Sequence, residues 1–273
     1  MRDDRWGMRW AIGGVAFLAL APLVLPAGAL AQAAPPAPAA KAPAASAPAA
    51  DPIARWSELW RRRDEPGVLA ELKAMAKTFE ATQDYEKLWR VVHLDFWLAD
   101  GAKDDDAKEA LGKHGWDVGK KALAIKPKGL AALYWTSVCI GKYSQAVGIL
   151  NALMKGLEGK FRDPLLEVKQ ADPRHLDRDV DYVGPELTLG RYWYSLPWPK
   201  RSLGKSKAEL EEAIQARPEN LRAHFYLAQT LSKDGDDAGA KAQLKIVASG
   251  SAEYDPPEAR RIKRRAAAWA ATL

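Results

Sequence analysis

Side chains able to act as acids, bases, nucleophiles or metal ligands are present but scattered. The four histidines, His93, His114, His175 and His224, stand far apart in the chain, and the single cysteine, Cys139, has no CxxC partner. The spacing of a structural zinc site or a redox pair is therefore missing. Gly204, Lys205 and Ser206 imitate the end of a phosphate-binding loop, but Pro199 stands where that loop requires glycine, and no strand precedes it. Asp177, Asp179 and Asp181 alternate like the opening of a calcium loop, yet Tyr182 and Thr188 replace its glycine and glutamate. A solvated loop is expected there. Ser206 with Glu209 has the form of a helix-capping box. With no HExxH or GxSxG motif and Cys139 on an apolar helical face, the chain reads as a non-enzyme with no cofactor and no metal.

Any binding group must then be positioned by helices. The 273 residues are 48% hydrophobic and 28% charged, enough for one or two globular domains. The net charge of +6 is spread through the chain rather than blocked, so nucleic acid is not an expected partner. Leu69, Leu72, Met75, Ala76 and Phe79 form one apolar stripe at helical spacing, and Tyr85, Leu88, Trp89, Val92 and Phe96 form the next. Further helices are expected over 105–125, 129–140, 143–155, 186–195, 202–216, 219–233, 237–248 and 257–271. No segment alternates apolar and polar residues between hairpin turns, so the class is all-α.

Repeats turn these helices into an architecture. Residues 187–220 and 221–254 are adjacent 34-residue units. In the second, His224, Leu227, Ala228, Leu231, Ala240 and Leu244 occupy the places that a tetratricopeptide repeat keeps small or apolar, so that helix A and helix B of a unit approach closely. Pro127 and Pro218 close equivalent helix pairs, but their separation is not a multiple of 34, so the superhelix is irregular and carries an insertion. The expected domain is a helical-hairpin superhelix over 53–273, ended by a capping helix at 257–271.

The stretches Lys120 to Trp135 (KKALAIKPKGLAALYW), Tyr182 to Pro197 (YVGPELTLGRYWYSLP) and Ser206 to Leu231 resemble the regulators of microtubule dynamics and their bacterial relatives, akin to the T component of TRAP transporters. The resemblance spans roughly residues 67–250. It implies a tetratricopeptide-like fold and an exported helical adaptor.

In the repeat register one stripe of each A helix faces the concave side: Thr188, Arg191, Ser195 and Trp198, then Arg222, Phe225, Gln229 and Ser232, with Tyr134 from an earlier unit. Tyr134, Arg191, Trp198, Arg222, Phe225 and Gln229 are the candidate partner-binding residues, because arginines and aromatic rings dominate interface energetics. Arg191 and Arg222 lead, as charges exposed on that face. A protein or peptide is the expected partner, with a periplasmic small-molecule-binding accessory of a transporter as the alternative. The run RRIKRR at Arg260–Arg265 is expected to be the charged outer face of the capping helix, and is also the segment that would touch a membrane.

The first residues read as an address. Arg2, Arg5 and Arg9 precede an apolar run from Trp10 to Leu25, and Ala29, Leu30 and Ala31 fit a secretory cleavage site. Cleavage after Ala31 and export to the periplasm are expected, retention of this segment being the other route to a membrane. Residues 32–52 hold 11 alanines and 6 prolines, the composition of an extended linker.

Overall fold

The computed structural model describes residues 51–273. The expected leader at 1–31 and the linker at 32–50 lie outside the described residues. Asp51 and Pro52 belong to the first helix: Asp51 accepts the Ile53 N–H, and Pro52 opens α1 (Pro52–Trp60).

The chain continues through α2 (Pro66–Glu80), α3 (Tyr85–Gly101), α4 (Asp105–Ile125), α5 (Leu130–Ala146), α6 (Ile149–Met154) and α7 (Leu157–Ala171). After a 3-10 turn at Arg178–Val180 come α8 (Gly184–Ser195), α9 (Leu203–Ala216), α10 (Leu221–Lys233), α11 (Asp237–Ser249) and α12 (Pro256–Ala270). Short polar residues start these helices. Asp84, Asp104, Asn220, Asp236 and Asp255 each accept a backbone N–H of the first turn. Prolines end them: Lys126 and Arg217 leave the helical region because Pro127 and Pro218 follow.

Successive helices pack as antiparallel pairs, α3 on α4, α4 on α5, α8 on α9 and α10 on α11, while α12 covers α10 and α11. The two 34-residue units are the pairs α8/α9 and α10/α11. All six register residues of the second unit are buried, Ala228 and Ala240 completely. The fold is an all-α, tetratricopeptide-like superhelix. Its core lies in three main parts: one built by α1 to α5 with α7 and Leu189 of α8, one by α8 to α11, where Leu187, Leu210, Ala213 and Leu227 meet, and one by α10 to α12 around Phe225, Leu244 and Ile262.

Four expectations change. The helix expected at 143–155 is absent, since α5 runs on through Tyr143 to Ala146 and Gly148, at φ +89°, breaks the chain before the short α6. The expected insertion contains α7, whose Pro164 is tolerated within the helix. Ser206 is no cap: Ser202 caps α9, and the fully buried Ser206 hydroxyl pairs with that of Thr230 at 2.9 Å. Finally, the basic run is an outer face only in part: Arg260 and Arg264 are exposed, but most of its charges are engaged. Arg260 binds Asp64, Arg261 donates to the Trp97 carbonyl and Arg265 binds Asp100, so these side chains reach to the first half of the chain.

Candidate functional site

Residues of α1, α3, α5, α6, α7, α8, α10 and α12 line a cavity of about 590 Å³. Helical spacing builds its aromatic wall. Trp56 and Trp60 are one turn apart on α1, and Trp89, His93, Phe96 and Trp97 follow the three-and-four rhythm on α3. The His93 ring lies between Trp60 and Trp135, with centroids 4.0 and 3.6 Å away. Burial, helped by Arg63 and Arg90, pushes the His93 imidazole well below its ordinary value, so it is a neutral ring in a stack. Tyr134 meets Trp135 edge to face at 4.6 Å, and the Trp135 indole donates to the Asp179 carbonyl at 2.6 Å.

Charged groups stand beside these rings. Arg63 binds Asp255 at 2.6 Å while its guanidinium lies over Trp60 and Trp97, 4.5 and 4.2 Å from the ring centres. Arg222 binds Asp100 at 3.0 Å, pairs with Glu258 and donates to the Tyr226 hydroxyl at 2.8 Å. Asp100 also receives Lys142 at 2.5 Å and Arg265 at 2.9 Å. Burial alone would raise the Asp100 carboxyl, but Arg222, Lys142 and Arg265 together outweigh it and hold the group well below the usual carboxylate range.

Asp181 differs from these paired acids. It follows the 3-10 turn with φ +58° and accepts only the Tyr254 hydroxyl, at 3.3 Å. Burial, with Asp255 and Glu258 nearby, pushes its carboxyl up to about 7. The solvated loop expected at Asp177–Asp181 therefore turns one carboxylate into the cavity, while Asp177 caps the turn through the Asp179 N–H.

The sequence candidates divide. Tyr134, Thr188, Arg191, Ser195 and Arg222 all line the cavity. Arg222, however, is not the exposed charge expected; at 7% exposure its guanidinium is spent on Asp100 and Glu258. Tyr134, at 4% exposure, is packed into the wall. Arg191 keeps more freedom: it donates to Gln229 at 2.9 Å and lies over Tyr194, and Gln229 faces a separate, shallower hollow. Phe225 is core, 5% exposed and edge-on to Trp269. Trp198 falls beyond the end of α8, 86% exposed and outside both hollows, because the helix stops at Ser195 before Pro197.

The residues missed are His93, Trp60, Arg63, Asp181 and Asp255. The α3 stripe was readable from its spacing; the others meet only through the fold. Among the described residues no serine or cysteine is hydrogen-bonded to a histidine, and the Cys139 thiol, raised by burial, gives its hydrogen to the Val92 carbonyl.

The pattern of the family described as "Regulator of microtubule dynamics protein 1-3" matches residues 56–162, from α1 into α7. The chain resembles that family. The match carries the aromatic wall on α1, α3 and α5, and the second half of the cavity lies beyond it. No curated protein matches the chain. A solved structure titled "MamA RS-1 ArsTM double mutant" is 16% identical over 79% of this chain and 96% of that one, with a TM-score of 0.41.

Proposed function

We propose that this chain is a non-catalytic binding protein that holds a small organic molecule inside its superhelix, as an exported carrier or transport accessory. The observation that carries this reading is the cavity itself. Its volume of about 590 Å³ lies within the range of small-molecule sites, and its lining joins an aromatic wall to many charged side chains, among them Arg63, Asp181, Arg191 and Asp255. The guest has an apolar body that lies against this aromatic wall and a hydrogen-bonding group that reaches Asp181. A protein partner on the outer surface is the second reading, favoured by the repeat fold and by Trp198, a large ring left in solvent.

Native mass spectrometry of the full chain purified from its own cells tests the first reading. A bound small molecule is expected, and Thr188→Trp, which fills the cavity from α8, should lose it while keeping the helical circular dichroism. A chain that carries no guest, and whose protein partner is lost on Trp198→Ala but kept on Thr188→Trp, would establish the scaffold instead. Export is checked on the same sample: the N-terminus should be Gln32, and intact Met1 in the soluble fraction would contradict it.

A further inference from the structure

Away from the cavity, the loop after α7, the first turn of α8 and the second half of α9 bring a second group of side chains together. Glu186 on α8 is 1% exposed, and neither of its carboxylate oxygens has a hydrogen-bond partner. His175 points at it from the loop, with Nδ1 3.5 Å from Oε2. Glu212 enters from α9, so that His175, Glu186 and Glu212 each offer one ligand atom and these atoms lie within 4.8 Å of one another. Lys169 is the nearby cation. It donates to Glu209 and Glu212 at 2.8 Å each, but its ammonium stands 3.7 Å from Glu186, beyond hydrogen-bond range.

Charge arithmetic shows what is missing. Three carboxyl groups, Glu186, Glu209 and Glu212, meet the single ammonium of Lys169, and the central one, Glu186, is fully buried without a hydrogen-bond partner. A buried carboxyl without a partner stays ionised only at high cost, so it either holds a proton or takes up a cation. The loop, moreover, holds His175 in a strained shape. Its φ is +54°, a region a non-glycine residue enters at a cost, and the loop is fixed there by His175 N–H to the Asp172 carbonyl and by Arg217 to the His175 carbonyl. None of the three ligating residues lines the cavity.

We propose that His175, Glu186 and Glu212 form a binding site for one divalent transition-metal ion of the zinc class. An imidazole nitrogen beside carboxylate oxygens suits such an ion, whereas calcium and magnesium call for all-oxygen shells. The ion takes the place of the proton on Glu186, gives that buried group a partner, and ties the loop to α8 and α9. Lys169 competes with it for Glu212, so the site is tunable at that position. No local motif marks this site, since His175 and Glu212 are brought together only when α9 folds back along α8.

The test uses Zn²⁺ alone, added to the full chain and followed by competition with a chromophoric chelator and by thermal melting with and without EDTA. One equivalent should bind and raise the melting temperature, as any ligand of the folded state does. Glu186→Gln and His175→Ala should each weaken binding by at least about tenfold, the smallest loss expected even for residues that only support a metal site. Lys169→Met should tighten it by removing the competing ammonium. Should Glu186→Gln fail to fold, His175→Ala in the loop decides. The site is overturned if neither the natural chain nor Lys169→Met takes up Zn²⁺, if both ligand variants bind as the natural chain does, or if Ca²⁺ or Mg²⁺ binds as tightly as Zn²⁺.

Discussion

Asp181 sets a pH dependence whose sign follows from its surroundings. Its carboxyl sits at about 7 in the folded chain, against about 4 for an aspartate in an unfolded one, so between those values the folded state binds more protons. Stability contributed by protonated Asp181 is present at low pH and is lost as pH rises toward 7. His114 adds a second window. Its imidazole, hydrogen-bonded to Asp95 and near Glu80, is raised to about 9, so its contribution is complete below about 6.5 and disappears as pH climbs through 9. Asp181→Asn should therefore raise the melting temperature at pH 8 by at least about 2 °C, the shift that about 1 kcal/mol produces in a domain of this size, and change little at pH 4. His114→Ala should flatten only the upper window; melting curves from pH 4 to 10 that coincide for all three proteins would show that neither group titrates as described. At this scale residue type was legible and circumstance was not. The sequence marks Arg222 as a charge on an inward stripe, but only Asp100, more than a hundred residues away, and Glu258 explain why it is buried.

Between helices, close approach governs. α4 lays Gly112, Gly115 and Gly119 along α5, and a methyl group at Gly112 would lie 2.6 Å from the Tyr143 backbone nitrogen and 2.9 Å from the Cys139 carbonyl oxygen. Helix propensity favours alanine over glycine by about 0.5–1 kcal/mol, while overpacking costs about 1–3 kcal/mol. Because the atoms met are backbone, which cannot rotate aside, the second effect wins and Gly112→Ala should destabilise. Gly67, exposed on α2 with nothing within 4 Å, lacks that obstacle, so Gly67→Ala should be neutral or stabilising. Urea unfolding of the two variants checks the contrast, and equal midpoints would refute the packing argument. Helices with a cap and a proline stop, such as α4, were readable to the residue at both ends. α7 was not, because Pro164 and the glycines before it resemble a loop, and because its inward face is defined by contact with α5, which no local pattern encodes.

Across the whole molecule, the superhelix is closed by charge rather than by apolar packing. α12 buries Ile262 and Ala266 against α10 and α11, but it reaches the first half of the chain through arginines: Arg260 to Asp64, Arg261 over Trp97 and Arg265 to Asp100, with Arg63 returning to Asp255. These contacts are unequal. Arg260 and Asp64 meet at the surface, where an ion pair is worth at most about 1 kcal/mol and is screened by salt. Asp100 is buried and joins Lys142 of α5, Arg222 of α10 and both Arg261 and Arg265 of α12 to the end of α3, so its loss removes the shared carboxylate partner of four cations, of which Arg222 keeps Glu258. Breaking a buried pair from one side costs about 3–5 kcal/mol. Asp100→Asn, which keeps the shape and removes the charge, should destabilise on that scale and speed amide exchange in α12, whereas Arg260→Ala should change stability by less than about 1 kcal/mol. Because the cavity lies inside this closure, opening it also exposes the Trp60, His93 and Trp135 stack, and Asp100→Asn should make tryptophan emission more accessible to an external quencher. Unchanged exchange and quenching in a folded Asp100→Asn chain would mean that apolar contacts of α12 with α10 and α11 suffice to hold the ring shut.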